Sequence, residues 1–198
     1  MNLNFKVLPV LQNIKNKDLL NICKKHDTLM PVEGGNTRQE SVLNALNKLK
    51  NYKLKNIFIH DAARPFISIE VVNNLIKNIS KNISGVIPCL QITDSLRNKI
   101  LNVNNKINRS NYLLIQTPQL FNFNHLLKSH LKTKKLFEDD SALLVDNGYK
   151  IKTILGDRRS IKITHFEDIY FLKPYIEKNM NEFVIKVGTG YDVHKLVK

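Results

Sequence analysis

Asn56-Ile57-Phe58-Ile59-His60-Asp61-Ala62-Ala63-Arg64-Pro65 opens on an unbroken apolar triplet and closes on opposite charges around two alanines. Apolar residues in a row without polar alternation predict a strand over Asn56 to His60 that is covered on both faces and so central in a sheet. Downstream, Ile69 to Ser80 has helical period and Gly85 to Cys89 reads as the next strand. Upstream, strands over Phe5 to Val10 and Leu29 to Val32 alternate with helices over Lys17 to Lys25 and about Arg38 to Lys50. The latter places Val42, Leu43, Leu46 and Leu49 on one stripe. Strand, helix, strand in succession is the pattern of βαβ units, and right-handed crossovers make it an α/β, Rossmann-like, mostly parallel layered sheet.

Beyond this core, Gln91 to Asn111 turns polar and Asn-rich, as in an arm leaving the sheet or a surface loop. Regular pattern resumes with a strand at Leu113 to Gln116, helices at Asn124 to Lys132 and Asp139 to Asn147 and a strand at Lys150 to Ile154, and Asp168 to Asn179 closes this domain. Phe183 to Lys186 then starts a new strand before Gly188-Thr189-Gly190, which places one domain over residues 1–179 and the start of another over 183–198.

The 198 residues, 42% hydrophobic and 24% charged, have the make-up of a folded globular protein with one main core. No apolar run approaches the roughly 20 residues that span a bilayer and no signal sequence opens the chain, so a cytoplasmic location is expected. Cys23 and Cys89 lack partners at metal or redox spacing and read as core residues. The formal charge of +14 raises nucleic-acid binding as one reading, yet the 31 Lys and Arg are dispersed and do not form a tail or a helix face. Such a surface suits attraction of small phosphorylated anions.

Open α/β sheets bind ligands beyond the carboxyl ends of their strands, and the polar signals fall there. Gly34-Gly35 stands between a strand and a helix start, where backbone can approach an anion or simply turn. Asp61 and Arg64 frame small alanines, fitting either a flat ligand or a salt-bridged loop. Thr117-Pro118-Gln119 sits at a strand end and also fits a plain turn. Glu138-Asp139-Asp140-Ser141 matches an acidic helix cap. Lys162, between Ile161 and Ile163, would oppose them on a strand, and a solvated lysine satisfies the same pattern.

Taken in order, Val32-Glu33-Gly34-Gly35-Asn36-Thr37-Arg38-Gln39-Glu40-Ser41-Val42, His60 through Pro65, Thr117-Pro118-Gln119, Asp139-Asp140-Ser141 and Ile161-Lys162-Ile163-Thr164 resemble the 2-C-methyl-D-erythritol 4-phosphate cytidylyltransferase family, from about Phe5 to Tyr175. The resemblance implies transfer of CMP from CTP to 2-C-methyl-D-erythritol 4-phosphate with release of pyrophosphate, Mg²⁺ accompanying CTP. It assigns Gly34, Gly35, Asn36, Ser41 and Ala62 to the nucleotide, with Asp61 and Arg64 facing the phosphates of both substrates. It gives the sugar phosphate to Ser95, Arg109 and Thr117, with Ser95 where the family often has Thr. Lys162 would neutralise the phosphate under attack, and Lys162, Arg64 and Asp61 would be the catalytic set. An arm carrying Arg109 would protrude to a second subunit, implying a homodimer.

The sequence also departs from the family. The first βα unit, with a Gly- and Arg-containing triphosphate loop, has no counterpart ahead of Met1, so an inactive fragment is one reading of this chain alone. Glu138 replaces a small polar residue. Ile185-Lys186-Val187-Gly188-Thr189-Gly190-Tyr191-Asp192-Val193-His194 resembles the first strand of 2-C-methyl-D-erythritol 2,4-cyclodiphosphate synthase, which implies a bifunctional fusion. There Asp192 and His194 share a strand face and form an incomplete site for Zn²⁺ or a similar divalent metal. Another sugar nucleotidyltransferase, or a non-catalytic basic domain that binds nucleic acid, are the competing readings.

Overall fold

The computed structural model describes residues 5–98 and 107–179. Asn16, Thr37 and Ser68 each cap a helix by accepting backbone N–H groups, which starts α1 (Lys17–Lys25), α2 (Arg38–Leu49) and α3 (Ile69–Asn78) where the polar-to-periodic transition predicts. Asn122 and Asp139 do the same for α4 (Phe123–Lys132) and α5 (Asp140–Asp146), and α6 (Asp168–Asn179) closes the described chain.

Seven strands are described. β1 (Val10–Leu11) and β2 (Val32–Glu33) form a short parallel pair. β3 (Asn56–Ile59), β4 (Gly85–Gln91), β5 (Leu113–Ile115), β6 (Gln119–Asn122) and β7 (Ile151–Leu155) make one larger sheet. In it β6 runs antiparallel to both β3 and β4, β5 antiparallel to β4, and β7 parallel to β4. Three strands therefore share a direction and two oppose it: the layered α/β architecture is the expected one, and its sheet is mixed.

The central position belongs to β4 and not, as its apolar triplet led us to expect, to β3. β4 is flanked on one side by β7 and on the other by β6 and β5, with Gly85 to Cys89 buried, whereas β3 pairs with β6 alone among the described residues and all four of its residues are half-buried. An apolar run reports coverage of the faces and says nothing about how many neighbours the edges have.

Alternation along β4 and β6 splits the core between two faces. Ile87 and Phe121 pack with Val42, Leu46 and Leu49 of α2, Leu126 of α4 and Leu144 of α5. Val86 and Leu120 face the other way, onto Val71 and Leu75 of α3. Full burial of a leucine such as Leu46 or Leu75 contributes on the order of 2 kcal/mol each. Cys23 and Cys89 are free and buried, as expected of core residues. No described helix is long and apolar enough to cross a membrane.

Candidate functional site

A cleft of about 210 Å³ opens where the carboxyl end of β3, the β5–β6 junction, the start of α2 and the loop after β7 converge. Asp61, the second residue past β3, sits at its middle. Three cations surround its carboxylate: Arg64 Nε at 3.4 Å, Lys162 Nζ at 3.8 Å and Arg38 Nε at 3.9 Å. Glu138 and Asp139 add acid at the rim, although Asp139 is committed to capping α5 through the N–H groups of Ser141 and Ala142.

The three cations are not equivalent. Arg64 donates from Nη1 to the Ser160 carbonyl at 2.7 Å, from Nη2 to the Ile115 carbonyl at 3.4 Å, and from Nε to Asp61, so three of its five N–H groups brace the frame. Its side chain is 12% exposed, against 27% for Lys162 and 26% for Arg38. Lys162 and Arg38 thus present more of their charge to an incoming anion.

Lys162 lies on a loop, not on the strand expected from its flanking isoleucines. Long-range hydrogen bonds hold that loop. The Gln116 carboxamide accepts from Asp157 N–H and donates to the carbonyls of Asp157 and Ser160, at 2.9 to 3.2 Å. Ser160 Oγ donates to the Thr117 carbonyl, and Ile163 N–H donates to the Ala63 carbonyl at 2.8 Å. Gly156 must lack a side chain here, because a Cβ would lie 2.1 Å from Gln116 Oε1.

Thr117 is 4% exposed and follows a chain of fixed polarity. His60 Nε2 faces the Arg64 carbonyl at 2.9 Å and so carries the ring proton, which leaves Nδ1 to accept from the Thr117 hydroxyl at 3.0 Å. That hydroxyl in turn accepts the Asp61 N–H at 3.0 Å. Burial pushes the His60 pKa below its ordinary value, which keeps the ring neutral for this role. The Thr117–Pro118 bond is cis.

Beside the cleft, the β2–α2 turn is organised by its own residues. Ser41 Oγ accepts Gly35 N–H at 3.0 Å and donates to the Thr37 carbonyl, while Glu40 accepts Asn36 N–H at 2.7 Å. A Cβ on Gly35 would strike Glu40 Cβ at 2.3 Å, so glycine there permits the helix start to fold against the turn. Gly34, Gly35, Asn36, Ser41 and Ala62 stand next to cleft residues without lining the cavity itself.

Ser95 and Arg109 are exposed on the arm and do not line this cavity, Arg109 donating to the Thr93 carbonyl. Asp192 and His194 lie outside the described residues. Among the described residues, no group of three or more His, Cys, Asp or Glu is arranged to hold a metal ion.

The sequence does not single out Arg38, Gln116 or His130 as functional residues, and it offers Asp140 only as part of an acidic helix cap and a quoted motif. Asp140, 2% exposed, accepts a hydrogen bond from His130 Nε2 at 2.8 Å and forms an ion pair with Arg38 Nη2 at 2.7 Å. Burial opposes its ionisation, but the His130 and Arg38 contacts outweigh that and hold its pKa below the usual carboxylate value. Arg38 was available inside the quoted turn motif. Its partners Asp61 and Asp140 stand in two other quoted motifs, and only the fold brings the three together.

Comparison with known proteins agrees with this geometry. Residues 5–178 match the family model described as IspD: 2-C-methyl-D-erythritol 4-phosphate cytidylyltransferase. A bifunctional enzyme IspD/IspF of Pelagibacter ubique is 38% identical over 191 residues, covering 92% of this chain and 48% of that protein. One from Bartonella quintana is 41% identical over 181 residues, covering 86% and 45%. The chain thus spans about half the length of the curated relatives it matches. The crystal structure of 4-diphosphocytidyl-2C-methyl-D-erythritol synthase from Anaerococcus prevotii superposes with a TM-score of 0.75 at 28% identity, over 87% of this chain and 78% of that one. The bifunctional IspDF of Campylobacter jejuni gives 0.71 at 29% identity, over 84% and 42%.

Proposed function

The chain belongs to the 2-C-methyl-D-erythritol 4-phosphate cytidylyltransferase family, and from that premise we propose that it transfers CMP from CTP to 2-C-methyl-D-erythritol 4-phosphate in non-mevalonate isoprenoid biosynthesis. The observation that carries the reading is the gathering of Arg38, Arg64 and Lys162 within 4 Å of one carboxylate at the strand ends. Three mutually repelling cations around one carboxylate, with Arg38 also paired to Asp140, carry more positive charge than Asp61 offsets, which is what a site for two phosphorylated substrates requires.

In this reading an oxygen of the 4-phosphate attacks the α-phosphorus of CTP in line. The bond from that phosphorus to the bridging oxygen breaks, and the electron pair leaves with pyrophosphate. Lys162 and Arg38 neutralise charge on the phosphoryl oxygens, Arg64 and Asp61 fix their positions, and no protein nucleophile is needed. The β2–α2 residues Gly34, Gly35, Asn36 and Ser41, with Ala62, take the nucleotide. Thr117, Ser95 and Arg109 take the sugar phosphate.

Mg²⁺ brought in with CTP would take its ligands chiefly from the triphosphate, with Glu138 as the cleft carboxylate that is not ringed by cations as Asp61 is, since Mg²⁺ takes one or two carboxylates plus substrate phosphates. When bound, Mg²⁺ would offset triphosphate charge. The exposed Tyr112, Leu113 and Leu114 at the arm's return to the sheet support a homodimer formed there. The bifunctional relatives support reading 183–198 as the opening of a cyclodiphosphate synthase unit, with Asp192 and His194 as two of its divalent-metal ligands.

The test is pyrophosphate release by the chain with Mg²⁺, CTP and 2-C-methyl-D-erythritol 4-phosphate. Release that needs all three is expected. Faster release with another sugar phosphate or another nucleotide would reassign the substrates, and salt-sensitive binding of nucleic acid without any CTP affinity would end the transferase reading.

A further inference from the structure

Behind the cleft, three helix ends meet. Arg38 stands in the first turn of α2, His130 in the last turn of α4, and Asp140 at the first position of α5. His130 and Asp140 are shut off from solvent, with side chains 0% and 2% exposed, so neither can reach a ligand. Asp140 nevertheless spends one oxygen on His130 and the other on Arg38, and Arg38 continues to Asp61. The path is unbroken from a buried imidazole to the carboxylate that organises the cleft.

We propose that His130 and Asp140 are a positioning pair: they set the angle of the Arg38 guanidinium in the cleft and, through it, the place of Asp61. Burying an ionised carboxylate costs several kcal/mol before it is paired, and well-packed apolar residues often serve stability equally well. The arrangement also leaves His130 Nδ1 and the neighbouring Ser129 Oγ without hydrogen-bond partners among the described residues, and Asp140 Oδ2 meets Arg38 as an ion pair outside hydrogen-bond geometry. Stability alone gives little reason for such a pair. Directional control of a cation that faces the reacting phosphates does, since small displacements of positioning groups cost large factors in rate.

The kinetic half of this proposal rests on the transferase reading, and the spectroscopic half does not. In the full chain, the Arg38 Nε–H resonance is identified by its loss in Arg38→Lys. It should be shifted and slow to exchange in the parent and in His130→Gln, whose amide nitrogen can replace Nε2. It should move to the position of an exposed arginine in His130→Leu and in His130→Asn, whose shorter amide falls short of Asp140 and which serves if the leucine variant does not fold. Per folded molecule, kcat should fall roughly tenfold in the Leu and Asn variants, with the Gln variant within about threefold of the parent.

An Arg38 signal that ignores every His130 substitution overturns the proposal. So does a kcat that declines only in step with thermal stability, equally in Gln, Asn and Leu. A parent chain without turnover sinks the transferase reading alone, and the Arg38 resonance then decides for or against the pair.

Discussion

The cleft and the arm hold the two halves of the proposed site in opposite ways. In the cleft, contacts cross long stretches of sequence: Gln116 to Asp157, Arg64 to Ser160, Thr117 to His60, Asp140 to Arg38. On the arm, Arg109 reaches Thr93 and Ser110 reaches Asn108, both within the arm itself, and the side chains of Ser95 and Arg109 are exposed. Groups fixed from several directions keep their geometry before any ligand arrives, so their loss should appear in the chemical step. Groups tied within the arm itself should act mainly by adding binding energy.

Lys162→Ala tests the first half and carries the largest expected effect. Steady-state kinetics should show kcat down about a hundredfold with the KM for CTP changed less than about threefold. A variant that keeps its kcat and loses CTP affinity would erase the contrast. Arg109→Ala tests the second half. The KM for the sugar phosphate should rise roughly tenfold, as for a lost charge-assisted hydrogen bond, with kcat and melting temperature nearly unchanged. A fall in kcat as large as that of the lysine variant would place the arm inside the chemical step.

The smallest effect concerns pH. His60 is held neutral in the folded chain with its pKa below the unfolded value of about 6.5. The unfolded state therefore binds more protons just below that pH, and stability rises with pH there. Denaturant midpoints should be flat above neutrality and decline as pH drops below about 6.5. In His60→Gln, which retains a donor for the Arg64 carbonyl, that decline should flatten between about pH 5 and 6.5, before carboxylates begin to protonate. An unchanged slope would mean that another group sets it.

Where a feature is written locally, the sequence discloses it. Helical periodicity locates α1, α2 and α3, and the His60 to Pro65 motif places Asp61 and Arg64 at a strand end. Features set by pairing stay hidden. β6 escapes notice because a turn signal precedes it and only Leu120 and Phe121 stand between polar ends. Lys162 has a local alternation that mimics a strand, yet its position is decided by carbonyls and amides more than 40 residues away, such as Gln116 and Ala63. Asp140 reads as a helix cap, and nothing short of the fold tells that Asp139 does the capping while Asp140 turns inward.

The loop after β7 has one further consequence. Most of its anchors are main-chain atoms: the carbonyls of Asp157 and Ser160, the N–H of Asp157 and of Ile163. An address written in the peptide backbone survives exchange of the letters around it. Descendants of this sequence are free to vary the exposed Arg158 while the ammonium between Ile161 and Ile163 keeps its station, so the segment can diverge in evolution faster than its shape does.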